Sequence, residues 1–179
     1  FRASTVSALA LAWSGCLDEA HAQVSAVRNR CVERAEYGHL MFIDLHSTLI
    51  EVWRGNFTDA AQIVKDAMER AEQLGGDHAL VIADTIGAVV AAYAGREQEA
   101  RTHARAASEK ASRCGSPRLA DQAIMSLGFL EVSLGNTADA LTTLEPLVAR
   151  FGTLPGTEIV TAAVLPDAIE AMIALGRLD

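Results

Sequence analysis

Apolar residues recur every three or four positions in the segment 57–74, a spacing that places them on one face of an α-helix. The preceding segment, 38–54, is apolar over a wider arc, which is typical of a helix buried on several sides. The two patterns alternate along the chain. They predict wide-arc first helices at about 3–14, 38–54, 78–94, 118–134 and 158–175, and amphipathic second helices at about 17–35, 57–74, 97–113 and 137–151.

A glycine followed five residues later by an alanine marks each junction between a first and a second helix. WRGNFTDA at 53–60 is matched by WSGCLDEA, YAGREQEA and SLGNTADA, whose glycines are Gly15, Gly55, Gly95 and Gly135, and Gly176 continues the series of glycines. A glycine there can end a helix with positive φ, and the alanine lets two antiparallel helices approach closely. The pattern predicts an all-α fold, a right-handed α-solenoid of antiparallel helix pairs with a period of about 40 residues.

The repeats predict that the whole chain, 1–179, is a single solenoid domain. Their expected ranges are 1–36, 37–76, 77–116, 117–156 and a half repeat at 157–179. Because the chain begins with Phe1, we expect it to be part of a longer protein. Pro166 lies inside the last first helix and should kink or restart it, with Asp167 in the following turn. A first helix without its second helix should leave an apolar surface at the end, so we expect self-association through this C-terminal helix.

Charge and motif content argue against several classes of function. Fifteen basic and 23 acidic residues give a net charge of −8, unlike the basic patches that bind nucleic acid, so we expect no direct nucleic-acid contact by this segment. No apolar run approaches the ~20 residues that span a bilayer, and three cysteines without a CxxC motif favour a cytoplasmic chain with no membrane contact.

The residues also predict a chain that is not an enzyme. Asp44, His46 and Ser47 offer an acid, a base and a hydroxyl, but residues one or two apart on a helix point in different directions. No phosphate-binding glycine loop and no zinc motif occurs in the sequence. We therefore expect no catalytic residue, no metal and no cofactor in this segment.

The glycine–alanine motif, with an aromatic residue two positions before the glycine, resembles the tetratricopeptide repeat, although that repeat usually has 34 residues. LPDAIEAMIALGRLD at 165–179 is similar to a segment of MalT-like, ATP-dependent LuxR-type transcriptional regulators. The resemblance implies a sensing module that receives a protein or small-molecule inducer. The alternative is a free-standing adaptor that binds a peptide or partner protein in a concave groove.

Two stripes on the first helices compete as the binding surface. One is largely apolar and includes Trp53, Tyr93 and Phe129; it either lines the groove or belongs to the core. The other is polar or small and contains four carboxylates. It either forms an acidic groove for a cationic ligand or basic peptide, or is a solvated face whose glycines and alanines allow close packing. The candidate binding residues are Asp44, Glu51, Trp53, Asp84, Tyr93, Phe129 and Glu131.

Overall fold

The computed structural model describes residues 1–151 and 163–177, and within these ranges the fold is all-α, with no strand. A short 3₁₀ helix, Pro117–Ala120, precedes α7. The α-helices are α1 (Arg2–Trp13), α2 (Leu17–Glu33), α3 (Tyr37–Trp53), α4 (Phe57–Leu74), α5 (Asp77–Tyr93), α6 (Glu97–Arg113), α7 (Asp121–Ser133), α8 (Thr137–Phe151) and α9 (Val164–Ala174).

Most predicted helices agree with the structure to within one or two residues. The fourth first helix differs, because its first turn is the 3₁₀ helix that opens with Pro117. The last one is described from Val164, and its predicted start at 158 lies outside the described residues. Pro166 falls in the first turn of α9, where a proline is tolerated because N–H groups there have no acceptor within the helix.

The turn after each first helix has the geometry expected of a glycine cap. After α3, Gly55 has φ +75°, its N–H donates to Val52 O at 3.1 Å, and the Asn56 N–H donates to Glu51 O at 2.9 Å. These two bonds form a Schellman motif, in which the residue just past the helix end, here Gly55, has a left-handed backbone conformation. The other four repeat glycines also have positive φ.

The helices pack in two layers. Each odd-numbered helix from α1 to α9 contacts the next odd-numbered helix, so the first helices form one layer. The second helices, α2, α4, α6 and α8, pack against the first helices that precede and follow them. Leucine, isoleucine and valine of the first helices fill much of the core, whereas the second helices contribute mainly alanine, as at Ala60, Ala67, Ala100 and Ala107.

Two glycines inside first helices allow especially close packing. A Cβ atom built on Gly128 of α7 would lie 2.2 Å from Leu144 Cδ2 of α8, and one built on Gly87 of α5 would lie 2.9 Å from the His103 ring of α6. Any side chain at either position would force its neighbour to move. The prediction that small residues on the polar stripe permit close helix packing is correct at these positions.

The last repeat exposes apolar side chains. Ile169, Ile173 and Leu175 of the last repeat are 47%, 59% and 38% exposed, so the C-terminal helix presents an apolar strip.

Among the helices the structure describes, none combines the length and apolar character needed to cross a bilayer.

Candidate functional site

Side chains of the first helices line most of a groove, to which Leu147 of the second helix α8 also contributes. Two cavities share the lining residues Leu9, Leu49, Gln122 and Met125 and therefore adjoin; we call them together the inner groove. Leu9 belongs to α1 and Gln122 to α7, three repeats later. The layer of first helices therefore bends around the groove.

The wider part, the apolar end of the inner groove, has a volume of about 350 Å³. Its distinctive lining is apolar and comes from Phe42, Leu45, Ile82, Leu119 and Leu147. Apolar cavities of this size are typical of sites for small molecules.

Besides the shared Gln122, the polar residues His46, Arg118 and Asp121 also line the apolar end. Burial lowers the pKa of His46, even though its Nδ1 lies 2.7 Å from Phe42 O, so the ring is neutral at pH 7. The Asp121 carboxylate accepts a hydrogen bond from Arg150 at 2.7 Å. The only cation among the described lining residues is the exposed Arg118.

The narrower part, the aromatic end of the inner groove, has a volume of about 40 Å³. Each first helix contributes one distinctive side chain to it: Trp13, Trp53, Tyr93, Phe129 and Asp167. Trp13 is 41% exposed, and the other four are partly buried. A volume of 40 Å³ holds about three water molecules, so this end suits a small chemical group rather than a whole ligand.

The rings at the aromatic end contact one another. Trp53 Nε1 donates to Tyr93 Oη at 3.3 Å, and the Tyr93 and Phe129 rings stack with centroids 4.3 Å apart and planes 16° apart. Burial raises the pKa of Tyr93, the hydrogen bond from Trp53 opposes this, and Asp167 raises the pKa further. The phenol is therefore neutral at pH 7 and holds the neighbouring rings in place.

The candidate residues of the largely apolar stripe, Trp53, Tyr93 and Phe129, thus line the groove. The core interpretation holds for Ile86 and Val89, which lie on the same face of α5 as Tyr93 and are fully buried.

The carboxylates of the polar stripe do not line this groove. Asp44 of α3 is fully buried and is held by Arg28 Nε at 3.1 Å and by Arg70 Nη1, from second helices of two successive repeats. Burial raises the pKa of Asp44, and the two guanidinium groups oppose that effect. Asp84 is bound by His103 Nδ1 at 3.0 Å and by Lys110.

Asp84 shows the opposite balance from Asp44. Burial tends to raise the pKa of Asp84, but the hydrogen bonds from His103 and Lys110 outweigh burial, and the pKa lies below its usual value. Both aspartates are satisfied within the protein.

Glu51 and Glu131 lie at equivalent places two repeats apart and are each 3% exposed. The Glu51 carboxylate contacts His21, Arg54 at 3.0 Å and Asn56 at 3.1 Å. The Glu131 carboxylate contacts Arg101 and, at 3.0 Å, Asn136.

Neither sequence interpretation of these four carboxylates is therefore correct, since they are neither solvated nor arranged along an open acidic groove. Their partners come mainly from second helices that the stripe packs against. Burial without a partner would be costly, and each carboxylate has a cation in contact.

The residues that raised a hydrolase interpretation are not brought together. Asp44 faces arginines, His46 bonds to a backbone carbonyl, and Ser47 Oγ has no hydrogen-bond partner in the described structure. Within residues 1–151 and 163–177, no three His, Cys, Asp or Glu side chains converge as metal ligands would.

The chain matches no protein-family model, no curated protein and no solved structure at a significant level. The site must accordingly be interpreted from its own geometry.

Proposed function

We propose that this chain is a ligand-sensing helical-repeat module, of the tetratricopeptide-like right-handed solenoid type, in a cytoplasmic ATP-dependent transcriptional regulator. The observation that carries the proposal is the inner groove, an apolar space lined by all the first helices, α1 to α9. Sensing modules need a site whose occupation affects several elements at once. A ligand here would contact side chains from every repeat.

The role is non-catalytic in this proposal. The charged residues of the first helices are largely engaged in pairs with second helices, and the groove offers apolar and aromatic surface with few titratable groups. Such a lining favours binding by burial of apolar surface, at about 25 cal/mol per Å², rather than acid–base chemistry.

The proposal that the groove binds a ligand is tested by filling the groove with a bulky side chain. Gln122 lies where the two cavities meet and is half-buried, so Gln122→Trp should fill the shared space. Gln98→Trp adds the same ring at an exposed position on α6 and is the matched control. A library of small metabolites is screened by thermal shift on the wild type and both variants.

Compounds that stabilise the wild type and Gln98→Trp but not Gln122→Trp support the proposal. Hits that stabilise all three proteins equally would place binding elsewhere, and the absence of any hit would count against a small-molecule sensor. The regulator context is tested separately by determining the coding sequence on both sides of this segment. A phosphate-binding loop on one side and a helix-turn-helix on the other are expected, and their absence would refute the regulator.

A further inference from the structure

The aromatic end of the inner groove carries a single charge. Among the described residues that line it, Asp167 is the only charged one, and four aromatic rings make up much of the rest. No ion pair or hydrogen bond joins the Asp167 carboxylate to another residue in the described parts of the chain, in contrast to the paired Asp44, Asp84 and Glu131.

An unpaired carboxylate in such a place is unfavourable by itself. Burial raises the pKa of Asp167, and nearby Glu170 raises it further, so both effects disfavour the charged form. A cation at the aromatic end would remove the penalty by pairing with the carboxylate. The negative faces of aromatic rings attract cations as well, most strongly when water is excluded.

We infer that the inner groove binds an alkylammonium ion, with its cationic head at the aromatic end beside Asp167 and its hydrocarbon chain in the apolar end. The inference rests on the proposed function and names the class of ligand that this groove would sense. The sizes of the two ends match the two parts of such a ligand.

The head group must be small, because about 40 Å³ is available at the aromatic end. A primary or singly methylated ammonium group fits a space for about three water molecules. The apolar end offers about 350 Å³, enough for a chain of several carbons. Leu9, Leu49 and Met125 belong to both ends and would contact the carbons nearest the head group.

The overall charge of the protein favours the same class of ligand. A net charge of −8 raises the local concentration of cations and disfavours anions. In the apolar end, the one cation among the described lining residues, Arg118, is exposed at the surface. His46 is neutral there, and Asp121 already has Arg150 as a partner. Asp167 is therefore the carboxylate that we expect to discriminate a cation from a neutral ligand.

Tryptophan fluorescence reports directly on the aromatic end. The chain has two tryptophans, and both Trp13 and Trp53 line this cavity. Titration of the whole chain with n-hexylamine at pH 7, where it is hexylammonium, should change the emission with a saturable dependence. The neutral n-hexanol and the anionic hexanoate are the comparison probes. Hexylammonium should bind most tightly and hexanoate least.

Asp167→Asn keeps the shape of the side chain and removes its charge. It should weaken hexylammonium binding by about tenfold or more, because the charge-assisted hydrogen bond to the carboxylate is lost, and it should leave hexanol binding unchanged. Asp139→Asn is the matched control, since Asp139 is exposed and also lies in the first turn of its helix, α8.

The outcomes separate this inference from the proposed function. Equal affinity for hexylammonium and hexanol, or equal weakening by Asp167→Asn and Asp139→Asn, would overturn the cation site. Metabolite hits that Gln122→Trp abolishes would still support sensing by the groove in that case. If hexylammonium binds as expected and Gln122→Trp does not weaken it, the inference is wrong about the position of the hydrocarbon chain.

Discussion

Replacing Arg101 by methionine should leave Glu131 buried without a charged partner. Glu131 is 3% exposed, and its carboxylate contacts Arg101 and the side-chain amide of Asn136, 3.0 Å away. Methionine retains an apolar chain along the helix surface, so packing changes little while the guanidinium is lost. Breaking a buried ion pair from one side typically costs about 3–5 kcal/mol.

Two effects limit the cost in free energy of unfolding. The stranded carboxyl group can take up a proton, and for an unfolded pKa near 4.3 this costs roughly 3.7 kcal/mol at pH 7, at 1.36 kcal/mol per pH unit. The Arg101 side chain is 32% exposed, so water can reach the vacated position and lower the cost further. We expect the free energy of unfolding to fall by about 2–3 kcal/mol at pH 7.

The pH dependence gives a sharper signature than the magnitude. In the native chain, burial raises the pKa of Glu131, but Arg101 and Asn136 outweigh burial and hold the pKa below its usual value. Its stabilising contribution is therefore present above the unfolded pKa and is lost as the pH falls through the folded pKa. In Arg101→Met the folded pKa should instead be raised, so the variant should regain stability between pH 7 and pH 5.

Urea unfolding followed by circular dichroism at several pH values measures both effects. His21→Gln is the matched control, because His21 and Glu51 lie 80 residues before Arg101 and Glu131, yet Glu51 retains Arg54 at 3.0 Å. The control should lose less than about 1 kcal/mol. Adding Glu131→Gln to Arg101→Met should restore most of the stability. Equal losses in the two single variants, without a pH-dependent difference, would refute the reasoning.

Three further changes test packing, turns and association. Gly128→Ala should destabilise the fold by about 1 kcal/mol net in thermal unfolding, because overpacking outweighs the gain in helix propensity, and the loss should vanish in a Leu144→Ala background. Gly55→Ala should cost about 1 kcal/mol because φ is +75°, whereas Gly38→Ala, inside α3 and without positive φ, should not destabilise. Ile173→Lys should reduce any self-association seen by sedimentation velocity, since Ile173 is 59% exposed; an unchanged profile would exclude this helix as the contact.

The helices could be predicted because their signals are local. A glycine at each C-terminal cap, an acidic residue in many first turns and apolar residues at helical spacing lie within a few positions of the feature they determine. The 40-residue period then reinforces each signal by repetition. The start of the fourth first helix was less predictable, because Pro117 changes its first turn to a 3₁₀ helix.

Whether the carboxylates of the polar stripe face solvent or a second helix could not be predicted from the stripe itself. An aspartate on a helix has the same sequence pattern whether it faces solvent or a second helix, and only tertiary packing decides between them. A signal did exist in the partners, since Arg70 and Lys110 are 40 residues apart, as are Asp44 and Asp84. Periodicity of the cations, compared with periodicity of the carboxylates, would have indicated the pairs.

The position of Asp167 in the groove could not be predicted for a different reason. Asp167 belongs to the last repeat, and the residues nine positions before the other repeat glycines, such as Ser126, are not acidic, so repetition gave no signal for a carboxylate there. Its position beside Trp13 and Tyr93 depends on how the first helices bend around the groove. That bend is the sum of small rotations between repeats, which no local pattern encodes.

The two faces of each first helix therefore have separate roles. The apolar residues of α6 are alanines at helical spacing, which would permit neighbouring registers, one turn apart, at similar cost. A buried carboxylate that meets its partners in one register excludes the others, and Asp84 does so with His103 and Lys110 of α6. With register determined on that face, the opposite face is free to carry aromatic and apolar residues for a ligand. Substitutions of half-buried groove residues such as Gln122 should then alter binding while leaving the unfolding midpoint nearly unchanged, whereas loss of a buried charge partner should do the reverse.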